Sequence, residues 1–306
     1  MTEELFHMEE CAKEKQKTVK QHFVPQYLLR NFLNDEMKLH VYDLHNKRFF
    51  STSPEKVCYQ DNLYETKLSD ENQSPEDFLL CNDIENTFAK YEGNFATVTR
   101  KILKICDFPA NQKALVLHNG EREWLLKSVA NLIIRNPQNL ELLGINEMEE
   151  DEMTDQIQRD LVAANAVGIY EDEAIYLHAK KRAALTYELD GSLPNKILES
   201  LKKLHFSFLY AGKGEFITSD VPVYLHETKD GKSPSVYFPL SPKVAVLFGT
   251  HEKIRECRNR IVFINDEEKV DSFNRGFINL DDGKRFIIGS SKKSLERCVR
   301  GFCLTN

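Results

Sequence analysis

The chain lacks the features that mark several special classes of protein. No uninterrupted apolar run approaches the roughly 18 residues that a membrane-spanning helix needs, and the polar N-terminus has no apolar stretch typical of a secretory signal. Seven cysteines form no Cys-x-x-Cys pair, which argues against a zinc knuckle or a disulfide framework. We therefore expect a cytoplasmic protein with reduced thiols and no membrane partner.

Well-known catalytic motifs are also missing. The sequence contains no Walker phosphate loop, no His-Glu-x-x-His, no Gly-x-Ser-x-Gly and no EF-hand loop. The formal net charge of −7 argues against tight non-specific binding to DNA. Any chemistry must therefore come from residues that the fold brings together from distant segments.

Aromatic residues are plentiful. The 306 residues include 19 Phe and 11 Tyr but only 10 Pro, so disorder and collagen-like structure are excluded. We predict a polar helix or tail over residues 1–20, followed by a single α+β domain over 21–306. Its helical part spans about 70–203 and its sheet part, mostly antiparallel, about 204–306.

Periodicity supports this division into elements. The alternating pattern from Lys38 to Ser51 predicts an N-terminal β-hairpin, and apolar residues at spacings of four and three predict a long helix from Pro75 to Ile105. Further helices are predicted over Glu121–Asn136, Asp172–Tyr187, Pro194–Lys203, His251–Arg260 and Asp266–Phe277. Further strands are predicted over residues 206–210, 215–218, 236–240, 243–248 and 285–289. The acidic run Glu147–Asp155 is expected to be an exposed loop or helix start.

Two segments carry a family resemblance. His22-Phe-Val-Pro-Gln-Tyr27-Leu resembles the opening motif HxxPxxYL of a family known only as domain of unknown function 4238, and Thr218-Ser-Asp220-Val-Pro resembles its TSDxP motif. Weaker matches follow in the same order at Asn62–Tyr64, Ile84-Glu85, Arg135–Pro137, Pro239–Pro242 and Asn274. Val221 stands where the family often carries Asn. The resemblance covers roughly residues 20–290 and brings no established activity with it.

His22 and Tyr27 lie in the first motif. A histidine just before a helix is suited to proton transfer near neutral pH, although it would equally cap the helix or pack against Tyr27. Pro25 is expected to start that helix, and Tyr27 to belong to the core or to support the site.

Ser219 and Asp220 lie in the second motif, after a strand. A carboxylate at a strand end can bind a metal or orient an imidazole, whereas a turn capped by the Ser219 and Asp220 side chains is the alternative. Asn274 is expected to satisfy buried backbone groups and to support the site.

Glu85 and Arg135 lie on predicted helices. Glu85 is at the margin of an apolar stripe, where burial would raise its pKa unless a nearby Lys or Arg pairs with it. Arg135 could clamp a phosphate in bidentate fashion, or it could interact with the helix dipole.

Together these residues support a hypothesis of phosphodiester hydrolysis by a nuclease or related phosphoesterase. His22 would be the general base or acid, Arg135 would stabilise charge on the phosphate, and Asp220 with Glu85 would hold Mg²⁺ or Mn²⁺. Nucleic acid would then be the substrate, and a role as a defence effector is an analogy only.

The alternative is a non-catalytic module that binds a protein, another copy of the chain or a ligand, with motifs that are structural. A third hypothesis is that the same residues form a small-molecule site without a metal, in which Arg135 binds a carboxylate or a nucleotide.

Overall fold

The computed structural model describes residues 18–67, 78–107, 115–137, 196–226, 235–278 and 283–303, with a few positions between 139 and 186. The helices of these ranges are α1 (Gln26–Leu29, continued by a 3-10 turn Arg30–Phe32), α2 (Asp83–Cys106), α3 (Asn119–Ile134), α4 (Lys196–Lys202), α5 (Glu252–Glu256), α6 (Glu267–Ile278) and α7 (Lys292–Cys303). Positions 174, 177, 178, 181, 182 and 184–186 are also helical.

Strands occur at both ends of the described chain. They are β1 (Lys20–His22), β2 (Leu39–Asp43), β3 (Arg48–Thr52), β4 (Tyr59–Asp61), β5 (Thr66–Lys67), β6 (Phe78–Leu79), β7 (His205–Ala211), β8 (Thr218–Ser219), β9 (Tyr224–His226), β10 (Ser235–Pro239), β11 (Val244–Gly249), β12 (Ile261–Ile264) and β13 (Phe286–Gly289). The protein is therefore α+β, as predicted.

Two larger sheets organise the strands. A five-stranded sheet has the order β12-β7-β11-β10-β9, in which only the β12–β7 pair is parallel. A four-stranded antiparallel sheet has the order β3-β2-β13-β8, so the predicted N-terminal hairpin pairs with strands from the far end of the chain. The TSDxP motif thus begins in an edge strand of the sheet that contains the hairpin.

Helices α2 and α3 form the helical centre. The predicted stripe of α2 is buried at Ile84, Phe88, Phe95, Val98 and Ile102. Helix α3 is buried on most of its circumference, because it packs against α2 and α4 and contributes to the main hydrophobic cluster. No helix among the described residues is both long and apolar enough to cross a membrane.

The predicted helix start at Pro75 is wrong within the described residues. Phe78 and Leu79 form strand β6, and helix α2 begins only at Asp83. Leu80 and Asn82 have left-handed backbone conformations, with φ of 48° and 63°, which interrupts any helix there. Asn82 is then the residue from which the helix starts.

The C-terminal part also differs from the prediction. The helix expected over His251–Arg260 ends at Glu256, and Asn259 takes a left-handed conformation before the unpredicted strand β12. The strand expected over 215–218 is shorter and comprises Thr218–Ser219. Helix α7 is absent from the prediction, although the buried residues Leu295, Cys298 and Val299 repeat with helical spacing. The segment Glu147–Asp155 and most of residues 1–20 lie outside the described residues.

Candidate functional site

Arg135 is the residue on which the candidate site converges. It follows the last turn of α3, and only 1% of its side chain is exposed. Its Nη1 lies 2.8 Å from Glu92 Oε1, its Nη2 donates to the carbonyl oxygen of His22, and its Nε lies 3.4 Å from the hydroxyl of Tyr64. The guanidinium carbon is 4.3 Å from the ring centroid of Phe88. The buried charge is therefore paired and stacked on an aromatic ring.

The charge of Arg135 is held by its neighbours. Burial opposes the cation, but the Tyr64 oxygen and the Glu92 and Glu85 carboxylates outweigh burial and raise the Arg135 pKa. The five residues His22, Tyr64, Glu85, Glu92 and Arg135 are called the Arg135 cluster below.

His22 enters the cluster from strand β1. Its Nε2 lies 3.2 Å from the carbonyl oxygen of Pro54, and its ring lies 5.6 Å from the ring of Tyr59, its partner across the β1–β4 pair. A carbonyl only accepts, so Nε2 carries the proton and Nδ1 is the basic nitrogen of the neutral ring. Burial, with a smaller contribution from Arg135, lowers the His22 pKa below 6.5. The imidazole is therefore in its neutral form at pH 7.

Glu85 enters the cluster from the first turn of α2. It is half-buried, and its Oε2 has no hydrogen-bond partner in the described part of the chain. Burial raises its pKa to about 7; Arg135 opposes this shift, whereas Glu92 and Glu65 add to it. The Glu85 carboxyl is thus divided between its protonated and ionised forms at neutral pH.

The side-chain carboxylate of Asp220 lies outside the Arg135 cluster. Its Oδ1 accepts hydrogen bonds from the amides of Arg285 and Phe286, at 3.2 and 3.1 Å, and its Oδ2 lies 3.0 Å from the Arg285 amide. Burial raises its pKa to about 6 although these hydrogen bonds favour the ionised form. The Asp220 carbonyl accepts from Nδ2 of Asn136, the residue that follows Arg135, at 3.2 Å.

Ser219 and Tyr27 have structural contacts. The Ser219 hydroxyl donates to the carbonyl of Val221 and accepts from its amide, at 2.8 and 3.0 Å, which is the serine turn considered as the alternative. Tyr27 Oη lies 3.3 Å from Ser128 Oγ on α3, and burial raises its pKa. Both side chains therefore fix the backbone or helix that carries them.

Asn274 also satisfies buried backbone, as predicted. Its Oδ1 accepts from the amide of Ile217 at 3.2 Å, and its Nδ2 donates to the carbonyl of Glu215 at 2.8 Å. Helix α6 is thereby held against the chain that leads into β8.

Sequence reasoning missed the groups that complete the cluster. Glu92 follows Glu85 by seven residues, a helical spacing that could have placed both on one face. Tyr64 appeared only as a weak family match, and nothing in the local sequence marked Gln21. Gln21 accepts from the Tyr64 amide at 2.7 Å and donates to Glu65 at 2.5 Å.

The structure thus brings His22, Glu85 and Arg135 together and uses the Asp220 carboxylate elsewhere. No group of three or more His, Cys, Asp or Glu side chains that could hold a metal ion occurs among the residues that are described. Glu85 lies near the charge of Arg135, whereas the Asp220 carboxylate accepts hydrogen bonds from backbone amides. The metal role of Glu85 and Asp220 stays a prediction.

The comparisons with known proteins give one match. The family model described as protein of unknown function (DUF4238) matches residues 20–293. This match spans most of the chain, and the protein belongs to that family. No curated protein and no solved structure gives a significant match.

Proposed function

We propose that this protein is a hydrolase of the phosphodiester class, a nuclease or related phosphoesterase, with His22 and Glu85 as its acid–base pair. One observation carries the proposal: both residues lie close enough to the buried Arg135 guanidinium to feel its charge, and their pKa values are displaced in opposite directions. Two titratable groups whose surroundings shift their pKa values in opposite directions are typical of acid–base catalysis.

The displaced pKa values assign the roles. Neutral His22 takes a proton from the attacking water at Nδ1 while the water oxygen bonds to phosphorus. Protonated Glu85 gives its proton to the leaving oxygen as the ester P–O bond breaks. The products are a phosphate monoester and an alcohol, and exchange of protons with water returns both residues to their starting forms.

Arg135 and Asp220 then act as positioning residues. The three guanidinium nitrogens of Arg135 point to protein groups, so its charge orients the His22 backbone and Glu92 instead of clamping a phosphate. Asp220 positions the start of β13, because its carboxylate accepts hydrogen bonds from the Arg285 and Phe286 amides.

Hydrolysis assays on purified variants test the proposal. The substrates are bis(p-nitrophenyl) phosphate and single- and double-stranded DNA and RNA, each with EDTA, Mg²⁺ or Mn²⁺. Because acid–base groups contribute about 10²–10⁴-fold, we expect Glu85→Gln and His22→Ala to lower the rate at least 100-fold. Glu199→Gln, which removes an exposed carboxylate on α4, should keep the wild-type rate.

The pH profile adds an independent readout. The rate should rise as His22 loses its proton, below pH 6.5, and fall as Glu85 ionises at about pH 7. Wild-type rates in both Glu85→Gln and His22→Ala, with circular dichroism showing folded protein, would refute the proposal. Metal dependence would instead show that a cation takes part.

A second function, a non-catalytic binding module, is favoured by a different observation. The polar groups of Ser219, Asp220 and Asn274 are directed at backbone atoms, which is what fold-determining motifs do. Absence of turnover by wild-type protein on every substrate, with or without metal, would favour this module. A role in defence is a proposal by analogy under either function.

A further inference from the structure

Helix α3 carries a polar stripe that the hydrolytic roles leave largely unused. At 100° per residue, Trp124, Ser128, Asn131 and Arg135 fall within about 60° of one another around the helix. The stripe therefore runs along one face of α3 and ends at the Arg135 cluster. Tyr27 contacts its middle through Ser128.

The far end of the stripe is aromatic. Trp124 is partly exposed, and its ring lies 6.0 Å from Tyr91 and 5.9 Å from Phe95 on α2. Lys127 Nζ is 5.3 Å from the centroid of the Trp124 ring. Partly exposed aromatic rings beside a cation are how proteins bind the bases of single-stranded nucleic acid.

The middle of the stripe holds an unused donor. Asn131 is 2% exposed, and its Nδ2 has no hydrogen-bond partner within the described residues. A buried amide without a partner is costly, so a ligand acceptor that reaches it would be bound favourably. Asn131 lies one turn from both Ser128 and Arg135, between the aromatic end and the cluster.

We propose that this stripe is a base-binding subsite for single-stranded nucleic acid. The exposed part of Trp124 stacks a base, and Asn131 Nδ2 donates to an acceptor of the same strand when the bound strand displaces the side chains that bury this amide. This inference rests on the proposed function, because it names the substrate of the same site. Trp124 and Arg135 are about 16 Å apart along the helix axis, so the stacked base belongs to a neighbouring nucleotide and not to the one that is cleaved.

The single tryptophan of the chain makes the test direct, since its emission reports on Trp124 alone. Glu85→Gln protein, which should not cleave, is titrated with single-stranded DNA and RNA 12-mers while tryptophan emission is followed. The anisotropy of a labelled 12-mer measures binding independently. We expect saturable quenching with the same midpoint as the anisotropy change.

Variants and a modified ligand separate stacking from simple charge attraction. Trp124→Leu and Asn131→Leu, each combined with Glu85→Gln, should weaken the anisotropy-measured affinity about 10-fold, which is within the range for loss of one stacked base. Thr97→Val, an exposed change on α2, should leave the affinity unchanged. An abasic 12-mer of the same phosphate charge should bind more weakly and quench little.

The outcomes distinguish the two proposals. Absence of binding, or binding without quenching that the abasic strand matches, overturns the subsite, and turnover in the hydrolysis assays would leave the hydrolase intact. Saturable, base-dependent quenching supports the subsite, and if wild-type protein then cleaves no substrate, it is the hydrolase that fails.

Discussion

Arg135 shows how one buried side chain can join several segments of a fold. A buried guanidinium without partners would cost several kcal/mol, and removing one partner of a buried pair typically costs about 3–5 kcal/mol. Here Glu92, the His22 carbonyl and Tyr64 supply those partners from three separate segments. Through these contacts the arginine holds β1 and α2, the elements that carry His22 and Glu85, against the end of α3.

Glu85 gives a prediction about stability at the scale of one residue. Its pKa is raised by burial from 4.5 to about 7, so the folded protein holds a proton that the unfolded chain releases between these values. The unfolding free energy should therefore fall as pH rises from about 4.5 to 7, by about 3 kcal/mol through this group. Glu85→Gln removes that dependence and should be more stable than wild type at pH 8.

Urea unfolding at pH 5 and pH 8 measures this difference. Glu199→Gln, on an exposed carboxylate, should follow the wild-type pH dependence. If Glu85→Gln loses as much stability between the two pH values as wild type does, Glu85 is not a raised-pKa group.

The sequence could indicate some residues of this site but not the contacts between them. The residue types and their element ends marked His22, Glu85 and Arg135. The helical margin of Glu85 indicated either a raised pKa or a pair with a nearby Lys or Arg. Their partners are backbone groups of Pro54 and His22 and side chains on other segments, and local patterns carry no information about such distant contacts.

At the scale of elements, Asp220 joins β8 to the start of β13. Its carboxylate accepts from the Arg285 and Phe286 amides, and an asparagine can offer only one oxygen to them. We expect Asp220→Asn to destabilise the protein by about 1–3 kcal/mol, because a side-chain NH₂ donor then faces the Arg285 amide where Oδ2 now accepts from it. Amide hydrogen exchange in β13 should accelerate.

Asp266 provides a matched control for that substitution. It accepts from the Glu268 amide at the exposed start of α6, where asparagine caps a helix as well as aspartate does. Asp266→Asn should thus leave stability nearly unchanged. Unaltered exchange in β13 of Asp220→Asn would contradict the joining role of Asp220.

The elements that the sequence predicted are those with strong local periodicity. The α2 stripe, the β2–β3 hairpin and the β7, β10 and β11 strands were identified because apolar residues repeat at helical or strand spacing. The predicted helix included the residues of strand β6, because the left-handed backbone conformation of residues such as Asn82 cannot be recognised from the sequence pattern. The pairing of β2 with β13 depends on contacts across the whole chain.

At the scale of the whole molecule, the N-terminal hairpin shares a sheet with strands from the C-terminal part of the described chain. β13 lies between β2 and β8, so Ile288 pairs with Val41 on one side and Thr218 on the other. Ile288 is fully buried and belongs to the same hydrophobic cluster as residues of α2, α3 and β7. This continuity predicts that the N-terminal hairpin, the helical centre and the C-terminal sheet unfold together.

Ile288→Ala tests this cooperativity because it weakens the four-stranded sheet, whereas the single tryptophan of the sequence lies on helix α3. Truncation of a buried isoleucine costs about 2–5 kcal/mol, and a single cooperative unit must show that loss by every probe. Trp124 emission and far-ultraviolet circular dichroism should therefore shift to the same lower urea midpoint. Met37→Ala, at a side chain that is 69% exposed, should shift neither. A Trp124 midpoint that stays at the wild-type value would mean that the helical centre folds independently of the sheet, against the single domain predicted from the sequence.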